Sequence, residues 1–403
     1  MRVFQVSMIL LAAIIPAFPL VAQTESEKPR EAPSAEVLTA KQWNQVDQSV
    51  ERALAWLATK QRADGSFESI SMGQPAVTSI CVMAFMAQGQ SPNDGKYKEQ
   101  LTKAIDFIAA QQKANGLIAV NAPNAAPIPR EIVPHTGTLA GSTGRVAVYN
   151  HAISALGLCE AYGQCSPEQS KKLAPVIEKA IAATLEMQRW DTKEERNVGG
   201  WRYLNRQGTV GGPFKSDSDL SITGWQLMFL RSARNAGFDA PQESIDKAVN
   251  YVENCYLKNE DRKVHGYLVG NSKACTRAMA GAGVLAMAHA GKHNSDAAIG
   301  SGEWILKHDF KDYNKTVPIY NDRMLPDRYH YGAVLCALAM HQLGGKYWEQ
   351  FYPPLVETLL ANQQDDGSWP SEKPDRRYGN CYSTSLCVLS LSVTNQMLPI
   401  FQR

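Results

Sequence analysis

The stretch Gln61-Arg62-Ala63-Asp64-Gly65-Ser66-Phe67 returns near the other end of the chain as Gln364-Asp365-Asp366-Gly367-Ser368-Trp369. Weaker copies run from Gln111 to Ile118 and from Asn197 to Tyr203. The two strong copies each follow an amphipathic run and precede an apolar one, so the turn marks a repeated helical pair, and repetition is the pattern that most restricts architecture. Six apolar runs, starting at Val77, Tyr149, Ser221, Cys275, Tyr329 and Cys381, are apolar on nearly all sides and read as buried inner helices. Six others carry apolar residues on one face only, as Leu54 and Leu57 or Ile105 and Ile108 do, and read as outer helices.

The last four inner runs begin at a step of about 54 residues. The two longer steps before them hold Pro- and Gly-rich inserts near 121–145 and 190–215, read as long loops of the kind that carry function. Inner helices buried all round need a closed ring, because an open stack would expose the inner helices at its ends. The expectation is an all-α (α/α)6 toroid over residues 43–403, with few strands. Gln61 and Gln364 are expected to bond backbone at the helix ends, Gly65 and Gly367 to take positive φ, and Phe67 and Trp369 to pack on a neighbour.

Residues 1–22 have the layout of a secretory signal peptide, with Arg2 ahead of an apolar stretch and Ala22 at the expected cleavage point. Residues 23–42 are charged and Pro-containing and read as a flexible leader. No later run is long and apolar enough to span a bilayer, so the expected location is periplasmic or extracellular. Net charge is +2 with both signs interspersed, which argues against nucleic acid as a partner. Export permits disulfides, and of the eight cysteines Cys159 and Cys165, which straddle Gly163, read as a local pair, while Cys81, Cys336 and Cys387 read as buried thiols.

The repeated turns resemble the Gln-to-Trp repeat of squalene and terpenoid cyclases and the related turns of protein prenyltransferase β subunits. The end of the chain, from His330 onward, also resembles a group of exported bacterial proteins carrying such repeats. The resemblance implies the toroid, with the N-terminal ends of the inner helices ringing one mouth of a central cavity. Those ends supply Tyr149, His151, Asp217, Asp219, Thr223, Arg277, Arg328, Tyr329, His330, Tyr331, Asn380 and Tyr382. Terpenoid cyclases that protonate an alkene use an Asp-x-Asp-Asp motif; Asp217-Ser218-Asp219 matches three positions, placing Asp219 on the general acid, while Leu220 stands at the fourth. Capping of the inner helix is the competing role for both aspartates.

A zinc reading takes Cys275, His330 and Cys381, at matching places on three successive inner helices. Prenyltransferases use an Asp-x-Cys pair and a later His, and here Lys273 and Gly379 stand where the Asp and that His would be. No cofactor is implied. The preferred function is binding without turnover, with a partner segment or an apolar small molecule in the cavity. The alternative is an isoprenoid cyclase- or transferase-like enzyme with Asp219 as acid and Tyr149, Tyr329 and Tyr382 facing cationic intermediates. A lesser alternative is a polysaccharide-processing enzyme using Arg277, Arg328, Tyr329 and Tyr331. The tryptophans at 201, 225, 304, 348 and 369 are expected to stitch inner to outer helices, and histidines 265, 289, 293, 308 and 341 to lie at the surface or at caps.

Overall fold

The structure, a computed structural model, describes residues 31–122, 139–190, 192, 194–204, 218–259, 262–270, 275–315 and 327–403. The outer helices are α1 (Ala40–Thr59), α3 (Lys98–Ala110), α5 (Pro167–Met187), α7 (Gln242–Asn254), α9 (Asp296–Leu306) and α11 (Gly345–Ala361). They alternate with the inner helices α2 (Ala76–Met86), α4 (Leu139–Tyr162), α6 (Leu220–Asn235), α8 (Arg277–His289), α10 (Tyr329–Leu343) and α12 (Asn380–Leu391). Every residue of α2 is buried, whereas α1 buries one stripe of Val46, Val50, Leu54 and Leu57. Three outer helices, α1, α5 and α9, start on side-chain caps. Thr39 and Gln42 form a reciprocal capping box on α1, and Ser166, followed by Pro167, caps α5.

Around the ring α2 packs on α4, α4 on α6, α6 on α8, α8 on α10 and α10 on α12, and α12 returns to α2. The outer helices lie against the grooves of this inner barrel, and α1 meets α11 and α12 at the closure. The expected (α/α)6 toroid is therefore the fold.

The repeated turn works as a clamp between neighbouring repeats. Gln61 donates from Nε2 to the carbonyl of Gly65 in its own turn and to that of Gln100 on α3. Gln112 does the same to Gly116 and to Val176 on α5, and Gln188 to Gly199 and to Ser244 on α7. Gln363 donates to Gly367 and to Ser49 on α1, closing the ring. The clamp residue of the last turn is thus Gln363, one position before the expected Gln364. The turn glycines have φ near +90° and lie so close to the next outer helix that a Cβ on Gly65 would sit 2.3 Å from the carbonyl oxygen of Lys103. Phe67 and Trp369 are fully buried, and their N–H groups donate to Thr78 and Thr384 on the inner helices.

Between α7 and α8 a short antiparallel hairpin, β1 (Tyr256–Asn259) and β2 (Arg262–His265), stands where the clamp turn would be. The opposite mouth is closed by the end of the chain. Gln342 on α10 donates to the carbonyls of Phe401 and Gln402, and Glu160 near the end of α4 accepts from the N–H of Ile400.

Some expectations are corrected. The leader does not stay loose up to residue 42: Leu38 is buried, Trp43 donates to the carbonyl of Ala35, and α1 begins at Ala40. The insert near 121–145 overlaps α4, which starts at Leu139. No disulfide joins any two of the eight cysteines, all of which are among the described residues, Cys159 and Cys165 included. The expected signal peptide, residues 1–22, lies outside the described residues, among which no helix is long and apolar enough to cross a membrane.

Candidate ligand cavity

A cavity of about 330 Å³ opens at the N-terminal mouth of the inner barrel. Inner-helix residues one turn apart set its depth, because residues three and four apart share a helix face. Val77 and Ile80 on α2, Tyr149 and Ile153 on α4, Ser221 and Trp225 on α6, and Tyr382 and Leu386 on α12 line it in this way, with Met279 on α8 and Tyr331 on α10. The deeper residues Ile80, Ile153, Trp225 and Leu386 are apolar, and the shallower Tyr149, Ser221 and Tyr382 carry hydroxyls. Loop residues Tyr203, Tyr267 and Tyr378 complete an aromatic wall, and Arg145, Arg328, Arg377 and Asp375 sit among the charged lining groups. Trp225 and Tyr331 stack with ring centroids 6.1 Å apart.

Asp219 is the N-cap of α6 and is fully buried, and it is not one of the lining residues. Its Oδ1 accepts from the N–H of Ile222 at 3.0 Å and from the hydroxyl of Ser221 at 2.6 Å. Its Oδ2 accepts from Arg202 Nη1 at 3.0 Å and from the Tyr267 hydroxyl at 2.7 Å. All four partners stand as donors to it, the pattern an acceptor-only carboxylate satisfies. The helix cap, weighed against proton donation from the sequence, is the role this geometry carries. Asp217 lies outside the described residues.

The other expected site residues divide into cavity and scaffold. Tyr149, Arg328, Tyr331 and Tyr382 line the cavity. Thr223 accepts the Trp201 N–H, and His151 accepts the Ile118 N–H at Nδ1 while bonding Thr184 at Nε2, so both anchor turns instead. Burial holds His151 down at about 4, which keeps Nδ1 free of a proton and able to accept. Arg277 is buried against Asp327 at 2.7 Å with its guanidinium over the Phe310 ring, and Tyr329 donates to the carbonyl of Phe310. Asn380 accepts the Ser371 N–H. The Arg/Tyr cleft required by the polysaccharide reading is thereby split, with Arg277 and Tyr329 spent on packing.

His330 pairs through Nδ1 with Glu372 and through Nε2 with Tyr313. Cys275 and Cys381 are buried, and burial pushes the Cys275 thiol up to about 11. Among the described residues no three His, Cys, Asp or Glu side chains gather as metal ligands, so Cys275, His330 and Cys381 are not brought together as a zinc site. Asp375 bonds Arg328 at 2.9 Å, and burial raises its carboxyl to about 6 although Arg328 pulls the other way.

Several lining residues escaped the sequence reading. Trp225 was expected to stitch helices, as Trp201 and Trp369 do through indole bonds to Thr184 and Leu359. Its position one turn inside α6 from Ser221 was the available signal. Tyr203 and Tyr267 come from loops, and nothing in local periodicity marks them.

No protein-family profile and no curated protein matches the chain by sequence. Solved structures do match in shape. A glycosidase superposes with a TM-score of 0.58 at 12% identity, over 90% of this chain and all of that one. A type II terpene cyclase from Scytonema superposes at 0.56 with 14% identity, over 90% of this chain and all of that one. The shared fold is the α/α toroid. An alpha-mannanase from Bacteroides thetaiotaomicron extends the set, with a TM-score of 0.54 at 12% identity over 87% of this chain and 95% of its own. These toroids support different chemistries, so the shared fold leaves the activity to the site.

Proposed function

We propose that this protein is an exported binding toroid that takes an apolar small molecule, apolar end inward, into the cavity at the N-terminal mouth without turning it over. The observation that carries the reading is the polarity gradient of the cavity. Its deep residues Ile80, Ile153, Trp225 and Leu386 are apolar, and Tyr149, Ser221 and Tyr382 with their hydroxyls, and Arg145 and Arg328 with their guanidinium groups, stand nearer the starts of the inner helices or just before them. A volume of about 330 Å³ suits a small ligand. The absence of turnover is argued from Asp219, whose oxygens are committed to a cap, two hydroxyls and Arg202.

A second reading rests on a different carboxyl. Asp375 lines the cavity beside Tyr378 and Tyr382 and is raised to about 6 by burial, the property of a proton donor at near-neutral pH. In a cyclase-like enzyme this residue, not Asp219, would hold the acid. One experiment separates the readings: the purified protein is incubated with bacterial lipid extract and with a linear isoprenoid, and the bound and released species are identified by mass spectrometry. Recovery of an unchanged apolar molecule supports binding. A cyclised product that disappears in Asp375→Asn would overturn it.

A further inference from the structure

Two hydrogen-bond chains run from Asp219 to the cavity. In the first, Ser221 donates its single proton to Asp219 Oδ1, and the Tyr149 hydroxyl lies against the Ser221 oxygen. In the second, Tyr267 donates to Asp219 Oδ2, and the Tyr203 hydroxyl lies against the Tyr267 oxygen. A hydroxyl has one proton to give. With the protons of Ser221 and Tyr267 spent on Asp219, the contacts to Tyr149 and Tyr203 can form only if those phenols donate inward. Their oxygens then keep lone pairs, and both residues line the cavity with ring centroids 6.4 Å apart.

We infer that Asp219 is a positioning residue that fixes one side of the cavity as a pair of hydrogen-bond acceptors, so that the ligand presents a neutral hydroxyl to Tyr149 and Tyr203. This rests on the binding reading and deepens it. The phenols stay protonated, since burial, together with the charge of Asp219 itself, pushes both well above the usual phenol range. A cationic donor such as an ammonium is disfavoured, because Arg145, Arg328 and Arg377 face one carboxylate, Asp375, among the charged lining residues. Asn150 does not compete for the ligand. Its oxygen accepts the Ala76 N–H, and its amide donates to Met72 and Val146. Tyr331 and Tyr382 add hydroxyls outside the two chains, so the constraint belongs to the side that Asp219 controls.

The test compares decan-1-ol with its methyl ether, which keeps the chain and the acceptor oxygen and loses the donor. Dissociation constants come from displacement of 1-anilinonaphthalene-8-sulfonate. The alcohol is expected to bind about tenfold tighter than the ether. Ser221→Ala and Tyr267→Phe each free one phenol to turn its proton outward, leaving the Ile222 cap and the Arg202 pair in place. In each the ratio is expected to fall severalfold toward unity, with a larger fall in the double variant. A merely structural role would weaken both probes alike and leave the ratio unmoved. Equal binding of the two probes by the unaltered protein, or an unchanged ratio in the double variant, overturns the inference while the ligand cavity stands. Failure of both probes to displace overturns the inference together with the binding reading.

Discussion

Glu160 is a buried carboxyl that accepts from the Ser232 hydroxyl and from the N–H of Ile400, and burial pushes it up to about 7. A carboxyl raised in the folded state contributes stability that is complete below its unfolded value and is lost as pH rises through the folded one. Between about pH 5 and 8 the protein is therefore expected to lose on the order of 2–3 kcal/mol relative to Glu160→Gln. Denaturant unfolding of both proteins at several pH values measures this, and parallel pH profiles would refute it. The buried His151 and His265, held down at about 4 and about 3, act in the opposite sense below the ordinary histidine range. At this scale the sequence was least legible. Asp219 could be read as a cap from its place before an apolar run, but its partners Arg202 and Tyr267 stand 17 and 48 residues away. Those pairings are a product of the ring.

The helical elements were the most legible part, since inner and outer helices differ in how many faces are apolar, and that difference survives in the bare sequence. The hairpin β1–β2 was not legible. In it His265 is held in the core by Ser301, through its N–H at 3.1 Å and Nδ1 at 2.8 Å, and fits over Gly283 on α8, so an expected surface histidine is a core residue. The clamp turns allow a paired test. Gly367 and Gly237 both have positive φ, but a Cβ at Gly367 would lie 2.6 Å from the Arg52 carbonyl oxygen, while among the described residues nothing stands within 4 Å of one at Gly237. Ala at Gly237 is expected to cost about 1 kcal/mol from backbone strain alone, and Ala at Gly367 about 2–3 kcal/mol because α1 must also move. Equal losses in denaturant unfolding would count against the clamp.

At the scale of the molecule the ring has no end repeat. In an open stack the terminal units can fray independently; here α12 packs on α2 and Gln363 grips α1. Helix loss followed by far-UV circular dichroism and tryptophan environment followed by fluorescence are expected to trace one coincident transition. Separate midpoints would mean that the closure is weak. The sequence led to closure through the apolar inner runs at both ends of the repeat series. It placed Tyr149, Tyr331 and Tyr382 at one mouth, but an 8% aromatic content is ordinary and only the fold brings Tyr203, Trp225 and Tyr267 to join them there.

The bond from Gln363 to the Ser49 carbonyl also sets an order of events in biosynthesis. The two residues are 314 positions apart. A ribosome releases α1 first, yet the group that seals α1 into place emerges only after five helical pairs have been made. Until then Val46, Val50, Leu54 and Leu57 can find α2 but not α11 and α12. The ring is thus completed by its newest part gripping its oldest, and a chain interrupted before Gln363 is left with a nascent seam that no earlier repeat can close.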